Sequence, residues 1–132
     1  MKKFLMILAF LACIVAVKAE TAYYQTTEFA YKSKNTFGFW GSWTDWESSS
    51  ILVVFNSDDN VVTIHSPSTQ VYRLTGHVRT YKDNDGGKTT EFTFVDQDGD
   101  RGHMRLRITQ EGTAQLYIDF NDIMWVYNLV RL

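Results

Sequence analysis

The stretch that decides the fold is HMRLRITQEGTAQLYIDF, residues 103–120. Apolar and polar side chains alternate on both sides of residues 111–113, as in two half-buried strands joined by a tight turn. A three-residue loop at 111–113 brings the apolar partners onto one face, whereas a two-residue loop mixes the faces. The opposing pairs predicted for this hairpin are Ile108 with Leu116, Leu106 with Ile118, and Met104 with Phe120.

The rest of the chain after residue 20 has the same character. Short runs of β-branched and aromatic residues alternate with polar clusters containing Gly, Asp and Asn, and no stretch has a helical period. We therefore predict an all-β domain, a single antiparallel up-and-down meander of about eight strands that forms a barrel or a curled sheet. A two-sheet β-sandwich is the alternative. The predicted strands are 23–32, 51–56, 61–66, 70–82, 88–96, 102–110, 114–121 and 123–131. The expected shape resembles lipocalin and avidin barrels in general outline, without a family signature.

Extending the alternation separates two faces of this sheet. The core face comprises Leu74, Val78, Phe92, Phe94, Met104, Leu106, Ile108, Leu116, Ile118 and Phe120. The opposite face carries Arg73, His77, Arg79, Glu91, His103, Arg105, Arg107, Tyr117 and Asp119. If that face closed inward, Arg105, Arg107 and Tyr117 would line a cavity for a carboxylate or another anion. The outward arrangement, with solvated cross-strand pairs, is favoured because buried arginine clusters are exceptional.

Two predicted strands are apolar on both faces. Residues 51–55 and 123–127 lack polar alternation, so another part of the protein must cover their outer side. The segment 37–46 or a partner subunit would provide this cover. Trp125 and Tyr127 are the candidate residues for a contact surface with a partner or a second copy.

The segment 37–46 is the most aromatic part of the chain. It contains Trp40, Trp43 and Trp46 at every third position, with glycines between them. Tryptophan faces stack on sugar rings and other flat apolar ligands, so the segment is a candidate ligand-binding platform. The alternative, which we favour at this point, is that it only covers the two-sided strands.

Other candidate sites are weaker. Asp96, Asp98 and Asp100 occupy the first, third and fifth positions of a calcium loop, but arginines stand where that loop needs Gly and Glu. An acidic hairpin turn is the favoured interpretation. The histidines have no metal-ligand spacing, and no cofactor or catalytic motif is present. Glu91 and Asp119 are possible paired carboxylates, each with an arginine neighbour.

The N-terminus has the pattern of a secretory signal peptide. Lys2 and Lys3 precede fourteen apolar residues, 4–17. The small residues Val17 and Ala19 then lie three and one residues before a possible cleavage site at Glu20. The run is shorter than the roughly 20 residues of a membrane-spanning helix. We predict removal of 1–19, a single domain at 20–132, and a secreted or periplasmic location. The alternative is a lipid anchor at Cys13, the only cysteine.

Charge and composition limit the function. Removal of three lysines with the leader lowers Lys+Arg from 13 to 10 against 15 Asp+Glu, a net charge of about −5. Such an acidic domain is poorly suited to nucleic acid. We predict a binding module for a small molecule or glycan, without catalytic activity. The alternatives are a structural or protein-interaction component of the cell envelope and, third, an enzyme of unknown class.

Overall fold

The structure is a computed structural model that describes residues 21–132. The predicted signal peptide at 1–19 and the anchor at Cys13 lie outside these residues. Residues 21–132 contain no helix that is long and apolar enough to span a membrane. The strands are β1 Thr21–Ser33, β2 Glu47–Ser48, β3 Leu52–Asn56, β4 Val61–Ile64, β5 Gln70–Lys82, β6 Lys88–Asp96, β7 Arg101–Ile108, β8 Ala114–Asp119 and β9 Ile123–Arg131.

The strands form one closed antiparallel barrel. Sequential strands from β3 to β9 are neighbours, and β1 pairs with both β3 and β9. This closes eight strands, and the short β2 adds to the free edge of β1. The predicted meander is confirmed, and the sandwich alternative is wrong. The predicted bounds match β5, β6 and β9, and the others agree within two residues.

The predicted register of the β7–β8 hairpin is wrong by two residues. Leu106 faces Leu116, and Arg105 faces Tyr117. The loop has three residues, but they are 110–112, because Gly112 with φ +89° occupies the last loop position. A type I turn followed by a left-handed residue requires glycine there. Slippage by two residues keeps every side chain on its face, so the apolar alternation fits either register.

The interior of the barrel is an apolar core. Its largest fully buried apolar side chains come from six strands, and they are Val53, Val62, Ile64, Phe94, Met104, Leu116, Ile118 and Leu129. Aromatic rings continue the core along one side, where Phe94 contacts both Tyr72 and Phe120 edge-on. Close packing of these side chains supplies the main stabilisation of the fold.

The assignment of Val78 to the core is wrong. Val78 is 49% exposed. The pairing of β5 with β6 shifts between Leu74 and Gly76 and again between His77 and Arg79, so β-bulges interrupt the alternation. His77 pairs with Phe92, with ring centres 5.7 Å apart. A histidine assigned to the charged face therefore lies beside a predicted core aromatic.

Candidate functional site

The arginine-rich face points out of the barrel. Arg105 and Tyr117 alternate with the buried Met104, Leu116 and Ile118 along β7 and β8. The outward arrangement predicted for this face is confirmed there, and the anion-binding cavity is wrong. The physical reason is that the apolar side chains already fill the interior.

The two central arginines already have carboxylate partners. Arg105 donates to both oxygens of Asp119 at 2.9 and 3.2 Å, and its guanidinium carbon lies 4.1 Å from the Tyr117 ring centre. Arg107 contacts Asp83 at 2.7 Å and Asp85 at 2.8 Å. The hydrogen bond to Asp83 is the largest cause that raises the pKa of Arg107. The two arginines therefore link neighbouring strands and a turn through ion pairs. Neither guanidinium is left without a carboxylate partner, so neither offers a free cation to a ligand.

The tryptophan segment, residues 37–46, runs along the C-terminal end of β1. Trp40 forms a bridge with Lys34, and Gly41 N–H donates to the Ser33 carbonyl at 2.9 Å. Thr44 N–H donates to the Tyr31 carbonyl at 2.8 Å. Backbone pairing to β1 therefore gives the segment a defined position.

Trp43 has the covering role. Its ring meets Tyr117 nearly edge-on, with centres 6.3 Å apart, and the Lys32 ammonium lies 4.8 Å from its centre. Val126, on the outer face of β9 between Ala30 and Tyr117, is only 3% exposed. We infer that Trp43 shields Val126 from water. On β3, Leu52 remains 38% exposed.

Trp40 is as exposed as Trp43, at 38%, and Trp46 is 45% exposed, but of the three tryptophans only Trp40 lines the groove described next. Within residues 21–132, no other ring or cation stacks on Trp46. The lysine ammonium groups of Lys32 and Lys34 lie 5.6 and 5.2 Å from the centre of Trp40. The groove has a volume of about 580 Å³, and its lining residues come from β5 to β8 and from the segments that follow β1 and β8. Its lining residues are Lys34, Trp40, Thr75, Thr93, Phe94, Arg101, Gly102, His103, Asp119, Phe120 and Asn121.

The groove places hydrogen-bonding groups beside an aromatic ring. Thr93, His103 and Asp119 are neighbours across three strands and share the outer face. The Thr75 and Thr93 hydroxyls hydrogen-bond to each other at 2.8 Å. Hydroxyl, imidazole and carboxylate groups therefore surround a space that Trp40 borders on one side. Such a combination suits a ligand with an apolar face and several polar substituents.

The calcium interpretation has a competing structural explanation. One carboxylate oxygen of Asp96 accepts hydrogen bonds from the backbone N–H groups of Asp98 and Asp100, both at 2.9 Å. The turn ends with Gly99 at φ +86°. No cluster of three side chains suited to a metal occurs within residues 21–132. The Asp96 carboxylate therefore stabilises a hairpin turn.

Trp125 and Tyr127 point into the barrel instead of forming a contact surface. Tyr127 is 6% exposed, and its ring centre lies 6.3 Å from that of Phe29. Trp125 packs against Phe120. Alternation places both on the core face of β9, beside the buried Leu129. The Trp125 indole N–H is buried without a hydrogen-bond partner among residues 21–132.

The fold defines a small closed antiparallel β-barrel with an outer groove. Comparison of the chain with protein-family models, curated proteins and solved structures gave no match.

Proposed function

We propose that this protein is an exported binding module that holds a glycan, or a small molecule of similar polarity, in the groove beside Trp40. The observation that carries the proposal is the position of Trp40. Trp40 is 38% exposed, and it borders a groove that also contains hydroxyl, imidazole, carboxylate and amide groups. Sugars present apolar C–H faces and hydroxyl edges, and this pairing of ring and polar groups complements both.

The paired carboxylates do not favour the enzyme hypothesis. Glu91 binds Arg79 at 3.0 Å, and Asp119 binds Arg105 at 2.9 Å. Neither carboxylate is free of an arginine, and general acid–base chemistry would require one of them to exchange protons with a substrate. The interaction-surface hypothesis loses its basis at Trp125 and Tyr127, since both point inward.

Tryptophan fluorescence tests the proposal. The protein expressed from the full chain is titrated with a panel of neutral and acidic oligosaccharides. We expect a saturable change for at least one of them, and Trp40→Ala should abolish binding. Trp46→Ala is the matched control because Trp46 is similarly exposed but does not line the groove. Absence of binding to every member of the panel, or equal loss in both variants, would contradict the proposal.

The export component has its own test. The intact mass of the protein recovered from the medium or periplasm should correspond to a chain that begins at Glu20. Recovery of a product that retains residues 1–19, with all of the protein inside the cell, would refute export without affecting the groove. A mass consistent with an acylated Cys13 would favour the anchor.

A further inference from the structure

The groove has an excess of cationic side chains. The permanent cations Lys34 and Arg101 line it, and Asp119 is the only acidic residue among its lining residues. Asp100 and Asp122 are adjacent in sequence to the lining residues, but neither lines the groove. This local excess occurs in a chain whose formal net charge is −2, so it belongs to the groove and does not extend over the whole surface.

The single carboxylate does not neutralise these cations. Both oxygens of Asp119 accept hydrogen bonds from Arg105, which does not line the groove. Within the described part of the chain, no carboxylate lies within ion-pair distance of Lys34 or Arg101. The Lys34 ammonium instead lies 5.2 Å from the centre of the Trp40 ring. Among residues 21–132, two permanent cations therefore border the groove without a carboxylate partner.

We propose that the ligand is an acidic sugar, a pyranose that carries a carboxylate. This inference rests on the proposed function and names the ligand class for the same groove. The sugar ring packs against the exposed part of Trp40, and the carboxylate binds Lys34 and Arg101. Arginine is the stronger partner because its planar guanidinium can pair with both carboxylate oxygens. The threonine hydroxyls and Asn121 meet the sugar hydroxyls.

Calorimetric titration with two matched ligands tests this inference. α-1,4-Linked trigalacturonate carries a carboxylate on each ring, and α-1,4-galactotriose is its neutral counterpart. We expect the acid to bind at least tenfold more tightly at low salt, and this advantage should shrink as salt screens the charges. Arg101→Gln should weaken acid binding severalfold and leave any binding of the neutral sugar unchanged. Lys34→Gln should weaken acid binding more than neutral-sugar binding, because it removes a charge and also the cation–π contact with Trp40.

A charge-matched control distinguishes a site from general attraction. Lys82→Gln removes one positive charge from the far end of β5, outside the groove. An equal effect of Lys82→Gln and Arg101→Gln on acid binding would overturn the inference. Equal affinity for the two trisaccharides would also overturn it, while the proposed glycan function would stand. Binding of neither trisaccharide nor any other glycan would overturn both.

Discussion

The ammonium group of Lys34 lies 5.2 Å from the centre of the Trp40 ring, and the same two residues form an antiparallel bridge. The backbone bridge and the cation–π contact thus act on one pair of residues. Together they hold the aromatic wall of the groove in place before a ligand arrives. A wall that is already ordered loses less conformational entropy on binding, which favours affinity.

Trp43 and Trp46 should differ sharply in their effect on stability. Trp43→Ala removes the ring that packs on Tyr117 and shields Val126, so we expect a loss of about 2 kcal/mol in the free energy of unfolding. Trp46→Ala should cost less than about 1 kcal/mol because no ring within residues 21–132 packs on Trp46. Urea denaturation followed by circular dichroism measures both values. Equal losses would show that Trp43 does not act as a cover.

Two glycines should respond differently to alanine. A Cβ at Gly102 would lie 2.5 Å from the Asp119 carbonyl oxygen and 2.6 Å from the Phe94 ring, so Gly102→Ala should cost about 3 kcal/mol. Gly112 has open space around it and φ +89°, so its alanine variant should cost about 1 kcal/mol through backbone strain. Chemical denaturation compares them. A smaller loss at Gly102 than at Gly112 would contradict the close β7–β8 approach.

Stability should decline at alkaline pH. Burial, followed by the charges of Tyr127 and Asp96, raises the pKa of Tyr72, and burial also raises the pKa of Tyr127. An unfolded tyrosine loses its proton near pH 10, roughly its reference pKa, whereas these phenols stay protonated in the folded state. Their contribution is therefore complete below about pH 10 and is lost as pH rises further.

Urea midpoints measured from pH 8 to 12, in steps of about one unit around the reference tyrosine pKa, check this expectation. The midpoint should fall above about pH 10, and Tyr72→Phe should reduce the steepness of that fall. The variant also loses the hydrogen bond from the Tyr72 hydroxyl to Gln70, which lowers stability at every pH without changing the slope. Identical slopes for the wild type and the variant would argue against the buried phenol.

The strands were predictable because burial of one face imposes a period of two residues. That period predicted every barrel strand and the correct face of Leu106, Leu116 and Ile118. It could not distinguish registers that differ by two residues, and the hairpin was misplaced for that reason. The position of Gly112 contains the missing information, since the left-handed residue comes last in such a loop. The shift between His77 and Arg79, where Val78 lies, has no comparable signal, whereas Gly76 marks the neighbouring shift.

The groove was only partly predictable. Trp40 was recognised as a possible ligand contact, but Lys34, Thr75, Thr93, Arg101 and Asn121 were not. These residues come from separate strands and loops, and they meet only after the barrel closes. Arg105 and Arg107 were proposed as ligand contacts because their carboxylate partners could not be assigned from alternation alone. In the correct register, the outward row of Thr93, His103 and Asp119 would have indicated the groove floor.

The indole N–H signals of the four tryptophans test the central claim most directly. In ¹H–¹⁵N spectra of the protein titrated with trigalacturonate, the Trp40 signal should shift progressively and saturate. The Trp125 signal should stay in place, because that indole N–H is buried in the barrel. A saturable shift at Trp125 with none at Trp40, or no shift of any tryptophan signal, would contradict a ligand site in the outer groove.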